Sequence, residues 1–125
     1  MAIKDFLKNS IEGTGEVTEA LMTTTAKVVK EGAHDISDIF GAIIDLGKEG
    51  VVDITEGVKG VFLGSVNALK ESGKTTEEAA SVVTVKAEQA IGKIGKAGEE
   101  TIGSAAKKGV EEAKKVIKEP FKSNH

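Results

Sequence analysis

Three groups of residues in this chain have types and spacings that could carry chemistry. Ala68-x-x-x-x-Gly73-Lys74-Thr75 fits a relaxed phosphate-loop pattern, in which backbone amides and a lysine cradle a phosphate. Such a loop has to follow a buried parallel strand. Here it follows a helical pattern and carries a single glycine, so an interhelical turn is expected and nucleotide binding is not. Glu31, His34, Asp35 and Asp38 would share one helix face, and Glu-x-x-His is the ligand pair of carboxylate-bridged dimetal bundles. That chemistry needs a second copy of the pair, and the other histidine is His125 at the C-terminal end. A solvated face with Asp35 capping a helix from Ile36 is therefore expected, with no metal and no cofactor. The third group, Lys107, Lys108, Lys114, Lys115 and Lys118, is expected to form a solvated face, with contact to anionic lipid headgroups as the alternative.

What is missing narrows the field further. The 125 residues include no Cys, Trp, Tyr or Arg, and only 4 Phe and 1 Pro, against 15 Gly. Without cysteine there is no thiolate nucleophile and no soft metal site. One internal histidine leaves little material for a nucleophile–base pair. No catalytic residue, no small-molecule substrate and no enzymatic activity are expected. Nucleic acid is excluded as a partner by the absence of arginine for base edges and of tyrosine or tryptophan for stacking, and by the net charge of -3. Charge is unevenly spread: residues 1–78 hold 8 Lys against 14 acids, and residues 79–125 hold 9 Lys against 6.

These residues sit on a regular frame. Cut every eleven residues from Ala2, the chain divides into eleven consecutive units ending at Lys122, with no insertion or deletion. The second column holds Ile3, Ile36, Val58, Leu69, Ile91 and Ile102. The fifth holds Phe6, Val17, Val28, Ile39, Val61, Val83, Ile94 and Val116, and the sixth adds Leu7, Val29, Phe40, Val51, Phe62 and Ile117. Leu21, Ile43 and Ile54 appear in the ninth, and Ile11, Met22, Ile44, Val66, Val110 and Phe121 in the tenth. Columns three, four and eleven contain 2 apolar residues in 33, whereas columns two, five, six, nine and ten contain 35 in 55, a contrast that composition alone does not produce.

Apolar spacings of three, four and seven are helical, and eleven residues complete three turns at about 3.67 per turn, so the stripe drifts slightly in the right-handed sense. The fold class expected is all-α: long amphipathic helices with 11-residue periodicity, forming a helical hairpin or a right-handed coiled-coil assembly. One repeat region, 1–125, is expected, with a turn at 72–76 separating a helix over 35–71 from one over 77–118. Thr75 and Glu78 are spaced as a capping box, and weaker breaks fall at 13–15 and 32–35. Glycine in a helix interior costs about 0.8–1 kcal/mol relative to alanine. Either close helix contact uses the missing side chains, as Gly60-x-x-x-Gly64 and the run Gly92, Gly95, Gly98 permit, or an external surface stabilises the helix.

Gap-free 11-residue amphipathic repeats rich in Lys, Glu, Gly, Thr, Ala and Val resemble those of synucleins, exchangeable apolipoproteins, perilipin-like coats and group 3 late-embryogenesis-abundant proteins. Lys30-Glu31-Gly32-Ala33, Lys48-Glu49-Gly50-Val51 and Thr55-Glu56-Gly57-Val58 echo the Lys-Glu-Gly-Val element of synuclein repeats, although they do not share one phase of the frame. The resemblance implies reversible coating of a lipid surface, or protection during desiccation. On this basis the chain is expected to be a non-catalytic protein that lays its apolar columns on a membrane or particle surface. A self-associating bundle or filament built from its own copies is the alternative, and a stress protectant the third. Ile36–Leu69, the most apolar stretch, holds seven charges, too many for a membrane-spanning helix. The opening MAIKDFLKNS has early charges and no apolar run, so no secretory signal and an intracellular place, cytoplasmic or peripheral on a membrane, are expected.

Overall fold

A computed structural model describes residues 3–12, 17–32, 34–94 and 100–123, with side chains placed for 3–11, 17–32, 34–94 and 100–117. The expected breaks at 13–15, together with Gly95 and Gly98, lie outside the described residues. The described chain is all-α: α1 (Ile3–Glu12), α2 (Val17–Glu31), α3 (Ile36–Lys48), α4 (Ile54–Glu71), α5 (Thr76–Gly92) and α6 (Glu100–Ser123).

Local hydrogen bonds set where these helices begin. Asp53 caps α4 by accepting from the Glu56 N–H at 3.1 Å. At α5 the capping is reciprocal: the Glu78 N–H donates to Thr75 Oγ1 at 3.1 Å, and the Thr75 N–H donates to Glu78 Oε1 at 3.0 Å. This satisfies two amides that the first helical turn leaves orphaned. Three helices are ended by left-handed glycines: Gly32 after α2 (φ 71), Gly50 after α3 (φ 83) and Gly73 after α4 (φ 110). The helix expected over 35–71 is accordingly divided at Glu49–Asp53, where a left-handed glycine is followed by a capping aspartate. The segment 77–118 comprises most of α5 and the greater part of α6.

The helices form two rows, α1–α3–α5 and α2–α4–α6, with α4 central and touching α2, α3, α5 and α6. Within the even row the helices run parallel. Thr18 and Met22 of α2 lie against Gly60 and Gly64 of α4, and Lys30 pairs with Glu71, so numbers rise together. Thr55 and Lys59 of α4 meet Ala105 and Glu112 of α6 in the same sense. Parallel neighbours set like dipole ends side by side; Lys30 and Lys70, in the last turns of α2 and α4, offset the negative ends there.

Between the rows lies a core whose largest fully buried side chains include Phe40, Phe62, Leu7, Leu21, Ile39, Ile43 and Leu46. Much of the rest is small: Ala79, Ala87, Ala106 and Ala113 are fully buried. The accessible area of 6899 Å² is within about a tenth of the ~6300 Å² expected for a compact 13.0 kDa chain, far from that of a single extended helix.

Candidate functional site

The apolar columns supply most of this interior. Leu7, Ile36, Ile39, Phe40, Ile43, Val58, Val61 and Phe62 are buried, and Ile3, Val51, Ile54, Leu69, Ile91, Ile94, Ile102 and Ile117 are partly buried against them. Phe6 (37% exposed) and Val116 (39%) remain largely open to solvent, together with Val85. Most of the residues proposed by their pattern for contact with a surface therefore pack together within one chain, Phe6 and Val116 excepted. Val28 and Ile44 join the same interior from the fifth and tenth columns, Leu21 from the ninth and Thr25 from the second, while Leu46 and Leu63 come from the first and seventh, which the column analysis did not count as apolar.

Two seams hold the even row together, and both depend on absent side chains. A Cβ at Gly60 would lie 2.9 Å from the Thr18 carbonyl oxygen, and one at Gly64 would lie 2.5 Å from that of Met22. One at Gly109 of α6 would lie 2.6 Å from the Thr55 carbonyl oxygen. In each case the obstacle is backbone, which cannot swing aside. The Gly60–Gly64 spacing thus serves helix contact, as one of the two sequence readings had it, while Gly92 has open space around it. Beside this seam, Thr25 Oγ1 and Ser65 Oγ are buried without a hydrogen-bond partner.

Polar links between helices lie at the surface. Lys4 of α1 pairs with Glu49, Lys30 of α2 with Glu71 at 3.0 Å, Lys86 of α5 with Asp35 at 3.2 Å, and Lys59 of α4 with Glu112 at 4.0 Å. Asp35 occupies the N-cap position of α3 but makes no side-chain cap, contrary to expectation. Its carboxylate is taken instead by the Ser37 hydroxyl and by Lys86, which together hold its pKa below the ordinary value despite some burial. Lys4 is raised by its hydrogen bond to Glu49, and Glu78 is lowered by the Thr75 amide and hydroxyl.

The groups singled out for chemistry are disposed as follows. The amides of Ser72, Gly73 and Lys74 donate to carbonyls of Ala68, Lys70 and Leu69, and that of Thr75 donates to Glu78. Ala68–Thr75 is thus a turn whose donors are already spent, with none directed at a phosphate. Glu31, His34, Asp35 and Asp38 do not share a helix face as expected: the left-handed Gly32 ends α2 after Glu31, and α3 begins only at Ile36. Among the described residues no group of three or more His, Asp or Glu side chains is placed to hold a metal ion. Lys107, Lys108 and Lys115 are exposed on α6, Lys114 lies 4.0 Å from Glu111, and the Lys118 side chain lies outside the described residues.

One concavity was not anticipated from the sequence. A groove of about 460 Å³ runs between α1, α3 and α5, floored by Ile3, Gly41, Ala42, Ile44, Ala90 and Ile94, and edged by Lys4, Asp38, Asp45, Lys48 and Lys93. Its one sequence signal is Gly41, a glycine in the middle of a strongly apolar helix. No helix among the described residues is long and apolar enough to cross a membrane. No protein-family model, curated protein or solved structure matches this chain.

Proposed function

We propose that the chain is a non-catalytic protein that coats an anionic lipid surface reversibly, stored in solution as a closed bundle and opening to lay its amphipathic helices on the surface. One observation carries this reading: most of the large apolar side chains that the 11-residue frame sets on a single stripe are turned by α1–α6 towards one another. Straightening the connections at Gly32, Gly50 and Gly73 would restore a continuous apolar stripe.

The energetics favour such an exchange. An apolar side chain moved from a protein interior into the acyl region of a bilayer keeps its hydrophobic stabilisation, because lipid tails are as apolar as the core it leaves. What opening forfeits is packing, and the two buried hydroxyls without partners, Thr25 Oγ1 and Ser65 Oγ, lower the cost of giving it up. The interhelix ion pairs are exposed and contribute little. Lys107, Lys108 and Lys115 on α6 would meet anionic headgroups first, each adding roughly 1 kcal/mol of attraction near a charged surface.

The test exploits the absence of cysteine. Lys30→Cys and Glu71→Cys, joined by a short bis-maleimide, would tie α2 to α4. Before cross-linking, the variant is expected to co-sediment with vesicles containing phosphatidylserine; after cross-linking, binding should fall sharply. Equal binding by the locked and unlocked forms, or none by either, would sink the proposal.

A further inference from the structure

We infer that α6 is the lipid-docking helix of the bundle: it separates from α4 first when the protein meets an anionic bilayer, and the other helices open after it. This rests on the coating reading above and gives it an order. A helix leaves a fold most readily when it buries little, because hydrophobic stabilisation scales with the apolar area removed from water. Among the described side chains α6 buries Ala106, Val110 and Ala113, with Gly109 between them. Ile102 and Ile117 are partly buried, and Val116 is 39% exposed. By contrast, α3 and α4 bury Ile39, Phe40, Ile43, Leu46, Val61 and Phe62. Two polar links join α6 to α4: the Thr55 hydroxyl donates to the Ala105 carbonyl at 3.0 Å, and Lys59 stands 4.0 Å from Glu112.

Charge decides between the two lightly held helices. α5 also buries small side chains, Ala79, Val83, Ala87 and Ala90, but it carries three glutamates to one lysine and an anionic surface repels it. α6 carries six lysines to four glutamates, and among the described helices it alone has a net positive charge. Lysines beside an anionic leaflet are attracted to it, and a basic amphipathic helix lies in the interface with its apolar face among the acyl chains. Lys107, Lys108 and Lys115 are exposed in the closed bundle, so this attraction acts before α6 moves. Ile102, Val110, Val116 and Ile117 then supply the apolar face. The latch is Gly109. A Cβ there would lie 2.6 Å from the Thr55 carbonyl oxygen and 2.9 Å from Val58 Cβ, so α6 seats on α4 only while residue 109 has no side chain.

Paired spin labels on the full chain test the order of opening. Labels at Lys59→Cys and Glu112→Cys report the α4–α6 distance, and labels at Lys30→Cys and Glu71→Cys report α2–α4, each titrated with phosphatidylserine vesicles. The α4–α6 distance should lengthen at a lower lipid-to-protein ratio than the α2–α4 distance, and vesicles of phosphatidylcholine alone should lengthen neither. Separation of α2–α4 first, of both pairs together, or equally on neutral vesicles would overturn the inference while leaving the coating proposal standing. Lengthening of α4–α6 alone at every ratio would uphold the inference and defeat coating by the whole stripe; lengthening of neither would overturn both. Gly109→Ala should lower the vesicle concentration at the α4–α6 midpoint about tenfold, because apparent affinity follows the fraction of molecules already competent to bind. Gly103→Ala adds the same methyl to the same helix with nothing within 4 Å, and should leave that midpoint unchanged. A Gly109→Ala midpoint equal to that of wild type would also overturn the inference.

Discussion

The carbonyl oxygen of Met22 in α2 stands where a side chain on Gly64 of α4 would begin, 2.5 Å from the position of a Cβ. Thr25 Cβ is 2.9 Å from the same point and Met22 Cα is 3.0 Å away, so two of the three obstacles are main chain. Relief would require α2 to move bodily away from α4. Gly64→Ala should therefore destabilise the bundle by about 1–3 kcal/mol, the range for overpacking a tight contact, although alanine is the better helix former. A urea titration followed by far-ultraviolet circular dichroism checks this; a midpoint equal to or above wild type would show that α2 and α4 do not pack this closely.

How much of this arrangement can be read from the sequence depends on the range of the interaction. The capping box is legible because Thr75 and Glu78 satisfy each other within one turn. The glycine spacing at 60 and 64 announces a close contact but not its partner, since Thr18 and Met22 are about forty residues earlier. The 11-residue frame runs without interruption through Glu49–Asp53, and so hides a turn there that Gly50, Asp53 and the Glu56 amide define by ordinary turn and cap chemistry. A stripe specifies which face is apolar; it does not specify where the chain doubles back. A second, coarser repetition points to that information: Val17-Thr18-Glu19-Ala20-Leu21 opens α2 as Ile54-Thr55-Glu56-Gly57-Val58 opens α4, and both helices close on Lys-Glu shortly before a left-handed glycine. The groove at Gly41 was not legible, because its walls come from three helices.

Thr25 Oγ1 and Ser65 Oγ are fully buried, and neither has a hydrogen-bond partner. A buried hydroxyl that has left water without finding a new partner costs about 1–3 kcal/mol. Thr25→Val keeps the branched shape and Ser65→Ala removes only the oxygen, so each should stabilise the protein by about 1 kcal/mol or more. The same denaturant titration reads the result. If either variant is less stable than wild type, its hydroxyl holds a hydrogen bond that the static arrangement conceals.

Thr75 carries two duties at the start of α5, accepting from the Glu78 amide and donating its own amide to the Glu78 carboxylate. Thr75→Ala removes the side-chain half of that exchange and should cost about 1 kcal/mol, within the 0.5–2 kcal/mol range of capping substitutions. Thr75→Ser should recover most of the loss, because serine retains the hydroxyl. Thermal melts of the three proteins decide the matter: an alanine variant as stable as wild type would mean that the turn at Ser72–Lys74, rather than the cap, fixes where α5 begins.

The sign of the pH dependence follows from which protonation state the folded protein favours. Asp35 lies below its ordinary pKa of 3.8, chiefly through the Ser37 hydroxyl and then Lys86, and Glu78 lies below 4.5 through Thr75. A carboxylate whose pKa falls on folding contributes stability that is fully present above the unfolded pKa and is lost as pH falls through the folded one. Lys4 behaves in the opposite sense: raised above 10.5 by Glu49, it contributes below that value and is lost as pH climbs through its folded pKa. Stability should therefore be level from about pH 5.5 to 9 and decline on both sides, modestly, because all three groups are exposed or nearly so. Ser37→Ala removes the main cause of the Asp35 shift; folded and unfolded pKa then approach each other, and the decline in acid becomes shallower. Melting temperatures across the acid range for wild type and Ser37→Ala measure this directly. Parallel acid limbs in the two proteins would show that the Ser37–Asp35 hydrogen bond does not survive in solution.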